Sequence, residues 1–145
     1  CTSFEKKELR KDKIVLKTVL SWKTVVSEVK RVKAGNRVGY DGTETLEKDS
    51  IIALCPIGYW HGFPRSLSSI GRVGIRGELA RVVGRVSMDI ISIDVTNISS
   101  VKVGDEVEII GKNISAYDVA RLDDTSWYET ITCINPLIKR IYHES

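Results

Sequence analysis

A chain of 145 residues, 42% hydrophobic and 28% charged, is long enough for one domain with a real apolar core and too apolar for disorder. Its 22 basic and 19 acidic residues are well mixed and leave a formal charge of +3, which argues against a dedicated nucleic-acid or membrane surface. No apolar run approaches the roughly 20 residues that cross a bilayer as a helix.

The opening "SFEKKELRKDK" is charged, lacks an apolar face and reads as a linker or frayed helix end. Residues 1–13 are therefore set apart from a domain over 14–145. The absence of an initiator methionine or signal peptide suggests a piece of something longer. From Ile14 the texture changes to short Val- and Ile-rich runs separated by glycine-bearing turns. "KIVLKTVLSWKTVVSEVKRV" (13–32) predicts one long strand or two consecutive ones, with Val25, Val26, Val29 and Val32 as core candidates. A turn at Gly35-Asn36 and a short strand follow. The run "SIIALCPIGY" (50–59) predicts a strand buried on both faces.

Further strands are predicted at "GRVGIRG", "LARVVGRVSM", "IISIDVT" and, after the turn "VKVGD", at "EVEIIG". In "NISAYDVARLDD", Ser115 with Asp118 three residues on predicts a capped, short amphipathic helix. "TSWYETITCINPLIKRIY" closes the chain as a strand interrupted at Pro136. Many short strands, regular turns and one helix describe an all-β barrel or sandwich rather than a βαβ fold. Cys1, Cys55 and Cys133 are widely spaced and form no CxxC pair, which suits a reducing cytoplasm. His61 and His143 lack a second ligand type at metal spacing, so no metal site is expected.

Three constellations carry candidate chemistry: Gly39-Tyr40-Asp41-Gly42-Thr43, the loop from Pro56 to Arg65, and Gly84-Arg85-Val86-Ser87-Met88-Asp89. Each places polar or phenolic groups where a strand breaks, the usual place for a β scaffold to present side chains. Taken singly, each has a plain alternative. Tyr40 could be a packing residue, Tyr59-Trp60 core or interface aromatics, and Asp89 a turn cap. His61 with Ser66 or Ser68 lacks a nucleophile elbow and a third triad member, so a serine hydrolase is not indicated.

Taken together and in this order, the three resemble the C-terminal domain of alanine racemase. "LSWKTVVSEVKRVKAGNRVGYDGTET" looks like that domain's opening strands and catalytic turn. "IALCPIGYWHGFPRSLS" is similar to the family's P-x-G-Y-x-D-G-x-x-R stretch, and "GRVSMDIISIDVT" resembles its G-R-x-C-M-D segment. "VGDEVEIIG", "ISAYDVA" and "YETITCINPLIKRIY" follow in the family's order, so the resemblance covers about residues 14 to 143.

The resemblance implies a Greek-key-like, partly open β-barrel for this all-β domain, and a two-domain subunit in which a (β/α)8 barrel carries pyridoxal 5'-phosphate on a lysine and precedes it. Residues 1–13 would then be the linker or the end of the preceding barrel helix. Subunits would pair head to tail, and Tyr40 would serve one face of the substrate's Cα in the partner's active site. A barrel lysine would serve the opposite face. Met88 matches the position whose backbone N–H helps hold the substrate carboxylate, Asp89 a supporting acceptor beside it, and Tyr59 the tyrosine lining the substrate entry and the partner's cofactor pocket. The implied activity is interconversion of L- and D-alanine for bacterial cell-wall peptidoglycan, in the cytoplasm, with neither nucleic acid nor membrane as partner.

Departures exist. His61 stands where the family usually has aspartate and Ser87 where cysteine is common. Leu137 and Lys139 replace the typical arginine and proline, and Pro136 stands where some members have a cofactor-contacting tyrosine. No phosphate contact is carried over to this end, no cofactor-binding residue is assigned in this chain, and the isolated chain is expected to be inactive. Two other readings stand beside this one: a non-catalytic dimerisation or regulatory module, and a small β-barrel that binds RNA or protein.

Overall fold

The computed structural model describes residues 19–142. The charged opening, the start of the strand predicted from residue 13, Cys1 and His143 lie outside the described residues. Nine strands follow one another: β1 Trp22–Val25, β2 Glu28–Val32, β3 Arg37–Val38, β4 Glu44–Thr45 and β5 Ser50–Cys55, then β6 Arg72–Ile75, β7 Glu78–Val82, β8 Ile91–Asp94 and β9 Glu106–Ile110. Seven form an antiparallel sheet in the order β1-β9-β6-β7-β8-β5-β2. β3 and β4 pair as a separate ribbon.

Strands β1 and β2 are consecutive in the chain yet stand at opposite edges of the sheet. Two adjacent residues span the gap. Val26 N–H donates to Asp105 O at 2.9 Å on the β9 side, and Ser27 N–H donates to Leu54 O at 2.8 Å on the β5 side. A flat sheet of this width would hold its edges roughly 29 Å apart, at about 4.8 Å per strand. The sheet must therefore curl until its edges nearly meet. β1 and β2 do not pair with each other, and non-consecutive strands pair at β5–β8 and β6–β9. The result is the partly open, Greek-key-like barrel that the family resemblance implies.

The inner face buries Trp22, Val73, Ile75, Ile91, Ile93 and Val107, joined by Phe63 and Leu67 from the loop after β5. A second, smaller cluster of Leu46, Ile52 and Val83, with Val32, Val38 and Leu54 against it, lies on the other side of β5 and anchors the ribbon. β5 is thus apolar on both faces because both faces are covered. Cys55, on the inner face, is fully buried, and burial pushes its thiol up to about 12, leaving it inert.

Three expectations need correction. Val25 is 45% exposed, not core. Trp22 and Thr24 point inward along β1, so alternation sends Val25 out, and the bend at Val26-Ser27 resets the phase. The strand expected over 79–88 stops at Val82, because Gly84 has φ 69 and leaves the β region.

The third correction concerns the chain's end, where the expected strand is a helix. Helix α1, Ala116–Leu122, is the predicted one; Ser115 Oγ accepts Asp118 N–H at 3.2 Å and Asp118 Oδ2 accepts Ser115 N–H at 2.9 Å. A second helix, α2 Trp127–Thr132, packs beside it. Ser126 caps α2 by accepting Glu129 N–H at 3.2 Å, and this local device outweighs the strand preference of "WYETIT". Among the described residues no helix is long and apolar enough to cross a membrane.

Candidate functional site

The β3–β4 ribbon turns through Gly39 (φ 81), Tyr40, Asp41 (φ 59) and Gly42 (φ 57), closed by Gly42 N–H donating to Gly39 O at 2.9 Å. A Cβ on Gly39 would stand 2.6 Å from both Arg85 N and Gly84 Cα. One on Gly84 would stand 2.6 Å from Gly39 Cα and Val38 O. The two glycines therefore stack backbone on backbone, which no other residue pair could do. Tyr40 N–H donates to Arg85 O at 3.3 Å, and Arg85 N–H donates to Thr43 Oγ1 at 2.9 Å. Arg85 also pairs with Asp41 at 3.2 Å. The bare backbone beside Tyr40 thus serves a close approach within the chain itself. The phenol is 57% exposed, and among the described residues its hydroxyl has no hydrogen-bond partner. It is not a packing residue.

From Gly84 the chain runs on to the Ser-Met-Asp turn. Ser87 Oγ accepts Ile90 N–H at 3.0 Å, and Ser87 N–H donates to Ile90 O at 3.2 Å, so the serine holds this turn with its own side chain. Met88 and Asp89, at its tip, are both exposed. Among the described residues nothing accepts from Met88 N–H. Gly58 lies flat against the turn; a Cβ there would be 2.2 Å from Ser87 O. Next to it Tyr59 N–H donates to Ser87 O at 3.1 Å and Trp60 N–H to Met88 O at 2.9 Å. His61 Nδ1 accepts Gly58 N–H at 3.2 Å, so the imidazole closes the loop as a side-chain acceptor.

The three constellations, scattered over some fifty positions of sequence, are therefore one hydrogen-bonded rim. Tyr40, Tyr59, Trp60, Met88 and Ile90 lie along it at 43% to 57% exposure. Beside it a shallow groove of about 460 Å³, floored by Val38, Ile52 and Leu54, opens next to Tyr40. The rim offers a phenol and a free backbone N–H without enclosing a pocket of its own.

Sequence reasoning missed Glu44. Its carboxylate accepts Arg81 Nη2 at 2.6 Å, Ser69 Oγ at 2.6 Å and Gly84 N–H at 2.7 Å. Burial acts to raise its pKa, but hydrogen bonds from Arg81, Ser69 and Gly84 N–H prevail and hold it below the ordinary 4.5. A depressed carboxylate contributes stability above its ordinary value and loses it as pH falls through the folded value. Thermal melts are therefore expected to show a larger loss between about pH 5 and about pH 3 in the native chain than in Glu44→Gln. Equal losses would contradict the network.

Among the described residues no lysine is suited to attach pyridoxal phosphate. Attachment of that cofactor needs a desolvated lysine of lowered pKa. Every described lysine is exposed, and Lys23, paired with Glu106 at 2.8 Å, is raised rather than lowered, chiefly by the hydrogen bond to Glu106. Nor, among the described residues, do three or more His, Cys, Asp or Glu side chains gather to hold a metal ion.

Fold and rim together define a class: a curled antiparallel β domain with an exposed phenol and other half-exposed apolar side chains along one hydrogen-bonded rim. The family model described as alanine racemase, C-terminal domain, matches residues 19–142, and the chain belongs to that family. It is 45% identical over 133 residues to the alanine racemase of Halothermothrix orenii, covering 89% of this chain and 35% of that one. Among solved structures, alanine racemase from Bartonella henselae with covalently bound pyridoxal phosphate superposes with a TM-score of 0.86 at 34% identity, over 92% of this chain and 37% of that one. The Bacillus anthracis enzyme with bound L-Ala-P gives a TM-score of 0.81 at 33% identity, over 92% and 34%. The chain thus spans about a third of the length of the relatives it matches.

Proposed function

We propose that the chain, over residues 14–145, is the C-terminal domain of a pyridoxal-phosphate-dependent alanine racemase and completes the active site of a partner subunit. Residues 1–13 are the linker or the end of the preceding barrel helix. Racemisation needs a proton taken from one face of Cα and one returned to the other. Tyr40 Oη serves one face; the cofactor and the base for the other face belong to the barrel domain of the full protein. Met88 N–H is the donor for the substrate carboxylate, and Asp89 is the acceptor beside that contact. Tyr59 narrows the entry, and a narrow entry favours alanine over larger amino acids by a few kcal/mol at most.

The observation that carries this reading is Tyr40 itself: an exposed phenol on a backbone locked to the segment that ends in Met88. The domain's place in the racemase family supports alanine as substrate, a head-to-tail homodimer, and a cytoplasmic supply of D-alanine for peptidoglycan. The isolated chain, mixed with pyridoxal phosphate and L-alanine, is expected to give neither imine absorbance nor D-alanine. D-alanine formed at enzyme-like rates by this chain alone would overturn the division of labour between the domains.

A further inference from the structure

We propose that Glu44 is a positioning residue, fixing where the Tyr40 phenol stands relative to Met88; the inference rests on the roles proposed above for those two residues. Three segments meet on its carboxylate. Glu44 belongs to β4, at the foot of the Tyr40 turn. Ser69 belongs to the bend before β6 and Arg81 to β7, while Gly84 opens the segment that leads to Met88. The partners also hold one another: Arg81 Nη1 donates to Ser69 O at 3.1 Å, and Ser69 N–H donates to Gly84 O at 3.1 Å. With its side chain only 19% exposed, the carboxylate stays ionised because every donor around it is aimed at it, and such charge-assisted bonds are the strong, short ones.

The two ends of the rim depend on Glu44 unequally. Met88 is held from the β5 side, through Tyr59 N–H to Ser87 O and Trp60 N–H to Met88 O, and Glu44 takes no part there. Tyr40 is held to the barrel by its long 3.3 Å bond to Arg85 O, by Thr43, by the Arg85–Asp41 pair at 3.2 Å, by the Val38 and Leu46 packing under the ribbon, and by the Glu44 carboxylate on Gly84 N–H, the least exposed of the polar ties. Without the carboxylate the ribbon loosens against a Met88 turn that stays put. Substrate binding should survive while proton transfer suffers, because misplacement by about 1 Å can cost on the order of a hundredfold in rate.

The experiment compares Glu44→Gln, Glu44→Asp and Tyr40→Phe in the full-length protein, with melting curves and with kcat and KM for alanine measured well below the melting temperature. Glu44→Gln is expected to lower kcat by about 10- to 100-fold with KM within about threefold. Glu44→Asp, which restores the charge at shorter reach, should recover part of the loss. A carboxylate serving stability alone would lower the melting temperature and leave kcat unchanged, and that result overturns the inference. So does a raised KM at unchanged kcat. Should Glu44→Gln fail to fold, Ser69→Ala decides: it removes one donor, and a several-fold fall in kcat at constant KM is expected, an unchanged kcat contradictory. If Tyr40→Phe keeps its rate, the proposed function fails. If Tyr40→Phe collapses while Glu44→Gln does not, this inference alone fails.

Discussion

In the full-length protein, Tyr40→Phe is expected to lower kcat for alanine racemisation by about 10²- to 10⁴-fold, the range contributed by a positioned acid–base group. The substitution removes one oxygen and keeps the ring. Because the phenol is 57% exposed and its hydroxyl has no partner among the described residues, the domain loses no internal hydrogen bond and its melting temperature should not move. KM should change little, since the substrate carboxylate is assigned to Met88 N–H. Exchange of the Cα proton of one enantiomer with deuterated water should persist, driven by the base on the opposite face. A Tyr40→Phe protein that racemises at within about threefold of the normal rate would remove Tyr40 from the mechanism.

Gly84→Ala is expected to destabilise the domain by about 2 to 5 kcal/mol. Of this, about 1–2 comes from placing alanine at φ 69 and about 1–3 from overpacking. The overpacking cannot be relieved cheaply, because the new methyl would stand 2.6 Å from Gly39 Cα and Val38 O, which are backbone atoms. Gly35→Ala separates the two contributions. Gly35 also has positive φ, at 81°, but nothing lies within 4 Å of a Cβ there, so only the conformational cost of about 1–2 kcal/mol should appear. For a chain of this size the Gly84 variant should melt roughly 10 °C lower, and the Gly35 variant about 4 °C lower. Equal shifts would mean that Gly39 and Gly84 do not meet.

What could be read in the sequence was local. Alternating and continuous Val-Ile runs between glycine turns marked most of the strands, and Ser115 with Asp118 marked α1. The short motifs around Tyr40, Tyr59 and Met88 marked the rim. What escaped depends on contacts between distant residues or on competition between local signals. Val25 looked like core because the bend that resets the strand phase at Val26-Ser27 depends on Asp105 and Leu54, far along the chain. Helix α2 escaped because aromatic and β-branched residues fill it; Ser126 followed by Glu129 was the signal that could have revealed it. Glu44 looked like one more solvated charge beside a turn. Its partners Ser69, Arg81 and Gly84 lie 25, 37 and 40 residues away, and no period or motif links them.

The most direct test asks whether the phenol works across subunits. Full-length subunits carrying Tyr40→Phe are unfolded and refolded with subunits whose barrel lysine is replaced, and mixed dimers are confirmed by a tag on each. Each parent should be nearly inactive. The mixture should recover at most about a quarter of normal activity, since about half of the dimers are mixed and each of these holds one intact site. Mixed dimers no more active than the two parents would show that Tyr40 does not act in its neighbour's site.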